Sequence, residues 1–323
     1  MTILSADRRV RPAVAVLAAA LCATACGGSG TAARAGSTPQ GSGGSGNGNS
    51  AVKVVASTDV YGAIVSAIGG DDVQVTSVID APDKDPHEYE ATPRDAAAVA
   101  GAQLVVGNGG GYDDFFFRLA DAAGGDRTVI DVAKLSGLEQ QVPVGGEFNE
   151  HMWFSLPTMH TLADRLASDL SRLQPGAKDT FSANAKAFND QVDGLQKEVA
   201  DIGRNHPEAR VAATEPLPLY LLAAADLVNV TPDEFLKASE QGNDAPAAVV
   251  QEMLQLVAGP DPVQVLLINT QTENPATDRL RAAAEKAAVP EVAVSETLSD
   301  GQTQYVAWLG GQVSALSEAL DRS

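Results

Sequence analysis

Apolar residues along the chain alternate between two spacings. Short β-branched runs at Val52–Ala56, Val73–Ile79, Gln103–Val106 and Thr128–Val132 predict strands, and Tyr61–Ile68 predicts a helix between the first two. Thr92-Pro93-Arg94-Asp95 reads as an N-cap, a proline at the first helical position and an acid at the third, so a helix is predicted over Asp95–Ala100. Then the rhythm changes. Phe181, Ala185, Phe188, Val192, Leu195, Val199 and Ile202 are spaced four and three residues apart in turn, one apolar seam on a long helix. A helix over about Ala177–Gly203 would span roughly 40 Å at 1.5 Å per residue, the width of a domain. No second heptad run partners it, so a strut along both halves is preferred over a coiled coil.

Alternation then resumes. Strand Arg210–Thr214, helices Leu217–Ala225 and Ala247–Val257, strand Val263–Ile268, helix Ala276–Ala288, strand Glu291–Val294 and helix Gln304–Leu320 form a second set. Strands separated by helices predict parallel sheets. The expected fold is α/β: two lobes, residues 51–176 and 204–323, each a mostly parallel sheet flanked by helices, joined by one long helix over 177–203.

The N-terminus reads differently. Arg8, Arg9 and Arg11 precede the apolar run Ala13–Ala20, which is too short to span a bilayer and leads to Leu21-Cys22-Ala23-Thr24-Ala25-Cys26. Residues 1–25 are expected to be an export signal of lipoprotein type, with Cys26 lipidated, although Ala23 stands where leucine is usual. An ordinary cleavable signal is the alternative. Residues 26–50 are a Gly/Ser-rich tether, reaching roughly 27 Å by random-coil scaling. Both cysteines lie before residue 27, so a disulfide framework, thiolate metal sites and cysteine nucleophiles are excluded from the body. Residues 1–25 hold three arginines and one aspartate, so their removal takes the formal charge from −20 to −22. Such a body disfavours nucleic acid and favours cationic ligands.

Among four histidines, His87 sits in "DKDPHEYE" and His151 in "GEFNEHMWF", both in acidic surroundings. Glu215 follows the strand Arg210–Thr214, and Glu273 lies in "NTQTENPAT" beyond Val263–Ile268. His87, Glu215 and Glu273 therefore fall past carboxyl ends of predicted strands, where open α/β sheets bind ligands. With His151, each lobe offers two candidates, which places the site between lobes. "GNGGG" at 107–111 lacks the Lys-Ser/Thr of a P-loop and reads as a loop. His160 and His206 are expected to be exposed and inert.

These motifs resemble the metal-binding receptors of bacterial ABC importers, the zinc/manganese cluster of periplasmic binding proteins. "DPHEYE", "HMW" at 151–153, "ATEPLPLYL" at 213–221, "NTQTENPATDRL" at 269–280 and "VVGNGGGYDDFFFRL" at 105–119 carry the resemblance over nearly all of residues 51–323. It implies His87, His151, Glu215 and Glu273 as ligands of one divalent ion, zinc or manganese. Tyr89, Glu90 and Trp153 are expected around the cleft, and Gln271 or Asn269 to assist or replace Glu273. The family's usual Asp-Pro before the second histidine is Asn149-Glu150 here, its usual fourth aspartate is a glutamate, and its His-rich loop is missing. The implied function is capture of the ion and delivery to a membrane permease with a cytoplasmic ATPase, by a monomer anchored at the outer face of the membrane. The resemblance implies no enzymatic activity; an exported metallohydrolase or an adhesin are the competing readings. Imidazole suits zinc, carboxylate suits manganese, and the Irving–Williams order favours zinc; the residues leave the choice open.

Overall fold

Alternating apolar residues build the two sheets. The computed structural model describes residues 50–81, 89–142, 147–272, 274–298 and 301–323. In the first half, β1 (Val52–Thr58), α1 (Asp59–Gly69), β2 (Val73–Ile79), α2 (Pro93–Gly101), β3 (Leu104–Gly107), α3 (Asp114–Ala123), β4 (Thr128–Asp131) and α4 (Val132–Ser136) follow one another. α5 (Leu156–Leu173) and the 28-residue α6 (Lys178–Asn205) come next. The second half comprises β5 (Arg210–Ala213), α7 (Leu219–Ala224), β6 (Val228–Asn229), α8 (Asp233–Glu240), α9 (Ala247–Ala258), β7 (Val265–Asn269), α10 (Pro275–Ala287), β8 (Glu291–Val294) and α11 (Tyr305–Arg322).

Both sheets are wholly parallel and share one topology, β2-β1-β3-β4 and β6-β5-β7-β8. In each, the central pair (β1 and β3, β5 and β7) is where the strand order reverses, and a crevice opens beyond the carboxyl ends there. The central strands are buried on both faces, as parallel strands between helices must be. Successive side chains point to opposite faces. Thus Val54 and Ala56 enter the main core, while Val55 joins Val78, Val105, Phe115 and Phe116 under α2 and α3. Likewise Val211 and Ala213 enter the main core, while Ala212, Leu266 and Ile268 pack beneath α9 and α10.

The seam on α6 is buried at all seven expected positions. The helix packs on α5, α1, α11 and α7, so one continuous core runs from the inner face of one sheet to that of the other. α2 begins as expected: Thr92 and Asp95 form a reciprocal capping box with Pro93 at the first position. Two expectations are corrected. The strand expected from Val263 begins at Val265 and runs to Asn269, and the helix expected from Leu217 begins at Leu219, because Pro216 and Pro218 delay it. α3, α4, α5, α8 and β6 were not expected. Among the described residues, no helix is long and apolar enough to cross a membrane.

Candidate metal centre

The glycine-rich turn after β3 shapes the first-half side of the crevice. Gly109, Gly110 and Gly111 all have positive φ (75°, 69° and 108°), so the chain doubles back tightly enough for Asp113 to cap its own turn. The Asp113 carboxylate accepts from Asn108 N at 2.7 Å and Gly109 N at 2.8 Å. Burial pushes its pKa up to about 6 against these hydrogen bonds. Asn108, fully buried, donates through Nδ2 to the carbonyls of Gly109 (2.8 Å) and Glu150 (2.7 Å) and accepts from the Tyr61 hydroxyl. The turn thereby fixes the segment that carries His151.

His151 is 1% exposed. Its ring stands edge-on to Trp153, centroids 5.1 Å apart at 79°, and 6.1 Å from Tyr112. Nδ1 lies 2.7 Å from Asn149 Oδ1, which also accepts from His151 N at 3.2 Å. Asn149 Nδ2 donates to Pro216 O at 3.0 Å, so its amide orientation is fixed from the second half of the molecule. An amide oxygen facing Nδ1 assigns the proton there and leaves Nε2 the lone pair that could bind a metal, the usual arrangement behind a ligating histidine. Asn149, the departure from the family pattern, is the residue that orients the imidazole. Nε2 lies 3.8 Å from Oε1 of Glu240, at the end of α8.

Glu215 and Glu296 each follow a strand of the second sheet by two residues and are 4% and 5% exposed. One amide serves both. Asn269 Nδ2, at the end of β7, donates to Glu215 Oε2 and, at 2.9 Å, to Glu296 Oε1. Thr272 Oγ1 also donates to Glu215. Tyr112, from the first half, donates its hydroxyl to Glu296 Oε2 at 3.0 Å. Gln271 grips the backbone beneath: its Oε1 accepts from Glu296 N (2.6 Å) and Thr297 N (3.1 Å). Glu150 and Glu240 share a hydrogen bond. Burial first holds both well above the usual carboxylate range; repulsion from Glu296 adds to it for both, and repulsion from Glu150 and Glu215 for Glu240. A buried cluster of this sign is a place a cation would stabilise.

His87, Glu273 and Cys26 lie outside the described residues. Of the other expected residues, Trp153 is fully buried against His151, whereas Tyr89 turns towards α2, donating to Asp95 Oδ2 at 2.9 Å and packing on Phe115, and Glu90 is exposed. His160 and His206 are not exposed as expected but half-buried; His206 Nε2 lies 3.1 Å from Asp321 on α11. Among the described residues, no three His, Cys, Asp or Glu side chains stand close enough to enclose an ion by themselves. Glu296, Glu240 and Tyr112 carry no expectation from the sequence, whereas Asn269, expected to assist or replace Glu273, donates to Glu215 and Glu296. The signal that selects Glu215, an acid just past a strand, selects Glu296 equally well.

An oriented imidazole and paired carboxylates at the switch points of two parallel sheets define a two-lobed binding protein. The family described as ZnuA, zinc-uptake complex component A, periplasmic, matches residues 54–319, and the chain belongs to it. Similar proteins include the metal ABC transporter substrate-binding lipoprotein SsaB of Streptococcus sanguinis, 29% identical over 174 residues that cover 50% of this chain and 55% of SsaB. The manganese-binding lipoprotein MntA of Bacillus subtilis is 28% identical over 148 residues, covering 45% and 48%. The chain spans about half the length of the curated relatives it matches. In fold it is similar to the periplasmic zinc binding protein TroA from Treponema pallidum (TM-score 0.70, 21% identity, covering 84% of this chain and 99% of TroA). It is also similar to FpvC from Pseudomonas aeruginosa, solved in complex with Mn2+ (TM-score 0.68, 19% identity, 84% and 99% covered).

Proposed function

We propose that the chain is an exported receptor that captures a divalent zinc or manganese ion between its halves and hands it to an ABC permease driven by a cytoplasmic ATPase. One observation carries the reading: the buried His151 imidazole, held at Nδ1 by Asn149, turns Nε2 towards a carboxylate cluster whose members repel one another. An ion there would bind the imidazole nitrogen and offset the repulsion at once. The ion is cargo, so the residues need only strip its water, hold it and release it. His151 and Glu215 are ligands in this reading. His87 is the second imidazole, and Glu296 competes with Glu273 for the fourth position. Cys26, lipidated, would hold the receptor at the outer face of the membrane as a monomer.

Metal-stripped protein should take up one equivalent of zinc or manganese, measured by elemental analysis after dialysis. Glu296→Ala should weaken binding far more than Glu273→Ala if Glu296 is the fourth ligand, and the reverse order would return the role to Glu273. Wild-type protein that retains neither metal would end the importer reading.

A further inference from the structure

The 3.8 Å separation of His151 Nε2 and Glu240 Oε1 is too long for a hydrogen bond but fits two donors on one ion. Atoms each about 2.1 Å from a shared cation stand about 3.0–3.8 Å apart for angles of about 90–130° at the metal. The placement of Glu240 follows from the local sequence. Phe235 and Leu236 bury one face of α8, and Lys237 and Glu240, three residues apart, share another. That face meets the segment before α5: Lys237 pairs with Glu147, and Glu240 reaches Glu150 and His151. A cavity of about 590 Å³ lined by Glu147, Asn149, Glu150, Lys237 and Glu240, among others, adjoins this contact.

We propose that Glu240 is a further ligand of the captured ion, binding it together with His151 Nε2, and that this added oxygen biases the site towards manganese over zinc. The proposal rests on the importer reading and adds a residue to its ligand set. Carboxylate oxygens suit manganese, and imidazole nitrogens suit zinc. A carboxylate beside His151 raises the share of oxygen among the donors. Manganese accepts such oxygen-rich octahedral surroundings, whereas zinc is most often four-coordinate.

The test titrates metal-free full-length protein with manganese and with zinc, comparing wild type, Glu240→Gln, Glu240→Asp and Glu147→Gln. Glu147 lines the same cavity and removes the same charge, but it is 61% exposed in a rim ion pair. Glu240→Gln is expected to lower manganese affinity by about 10–100-fold, as disrupting a metal site does, and zinc affinity by clearly less. Glu240→Asp should recover part of the loss, and Glu147→Gln should bind both metals as wild type does. X-ray absorption of the manganese-loaded proteins should show one oxygen fewer around the ion in Glu240→Gln, a change that misfolding would not mimic. If Glu240→Gln binds manganese as Glu147→Gln does, or loses both metals equally with the oxygen count unchanged, Glu240 is only a wall of the cleft. Wild type that binds neither metal would instead remove the importer reading itself.

Discussion

Asn108 and Asn269 occupy the same place in the two halves. β3 pairs with β1 through Val106 and Ala56, and β7 pairs with β5 through Leu267 and Ala213; each asparagine follows its paired residue by two and is fully buried. The partner positions, two residues past Ala56 and Ala213, hold Thr58 in one half and Glu215 in the other. From this shared starting point the halves diverge. Asn108 spends its hydrogen bonds on backbone carbonyls and a tyrosine, so it sets a turn and positions the His151 segment. Asn269 spends its donor on two carboxylates, so it holds charge in place. One buried amide at the switch point serves as scaffold in the first half and as holder of two carboxylates in the second. The first half presents nitrogen against an aromatic wall, and the second presents oxygen from a clamped, rigid network.

The largest effect should come from the nitrogen side. His151→Ala should lower affinity for zinc and manganese by about 100-fold or more, beyond the about 10–100-fold that losing an outer partner costs. Calorimetric titration checks this, and affinity equal to wild type would break the comparison at its first half.

Next comes the pair of asparagines. Asn108→Ala and Asn269→Ala should each cost about 1–3 kcal/mol in chemical denaturation of the metal-free protein, because each leaves buried polar groups without a partner. Ion binding should separate them: Asn269→Ala should lose about 10–100-fold in affinity and Asn108→Ala clearly less. Equal losses would mean that both halves present ligands by the same means.

A smaller effect is pH dependence. Asp59 and Asp113 are pushed up from 3.8 to about 6, in both cases chiefly by burial, and Glu150 and Glu240 are raised as well. The folded chain thus binds more protons than the unfolded one, so these groups favour the fold at low pH, and that contribution is lost as pH rises. The melting temperature of metal-free protein should fall from about pH 4 to about pH 6 as the aspartates ionise, and further above that as the glutamate pair loses its proton. Bound metal should flatten the upper part, since it replaces that proton's neutralising role and stabilises the native state by mass action. A melting temperature that rises through this range would contradict the buried-acid description.

The smallest effect lies far from both asparagines. His206→Ala removes a contact with Asp321, which is 69% exposed, and should change stability by about 0–1 kcal/mol and leave metal titration curves unchanged.

The sequence by itself determined the layered α/β fold, the long helix and the oriented imidazole's place in the chain. Strand and helix periodicity are properties of neighbouring residues, which is why the α6 seam could be read position by position and was buried throughout. α5 is absent from that expectation although Leu156, Met159, Leu162, Leu166 and Leu170 have helical spacing; the apolar run Met152–Leu156 just before it masks where the period begins. Tertiary structure alone decided which groups meet the two buried glutamates. Glu215 meets Asn269 across 54 residues, Glu296 meets Asn269 across 27, and Tyr112 meets Glu296 across 184. No local pattern encodes those meetings. They arise because two parallel sheets bring their central strands' carboxyl ends together, and because a buried carboxylate must find a donor wherever the fold supplies one.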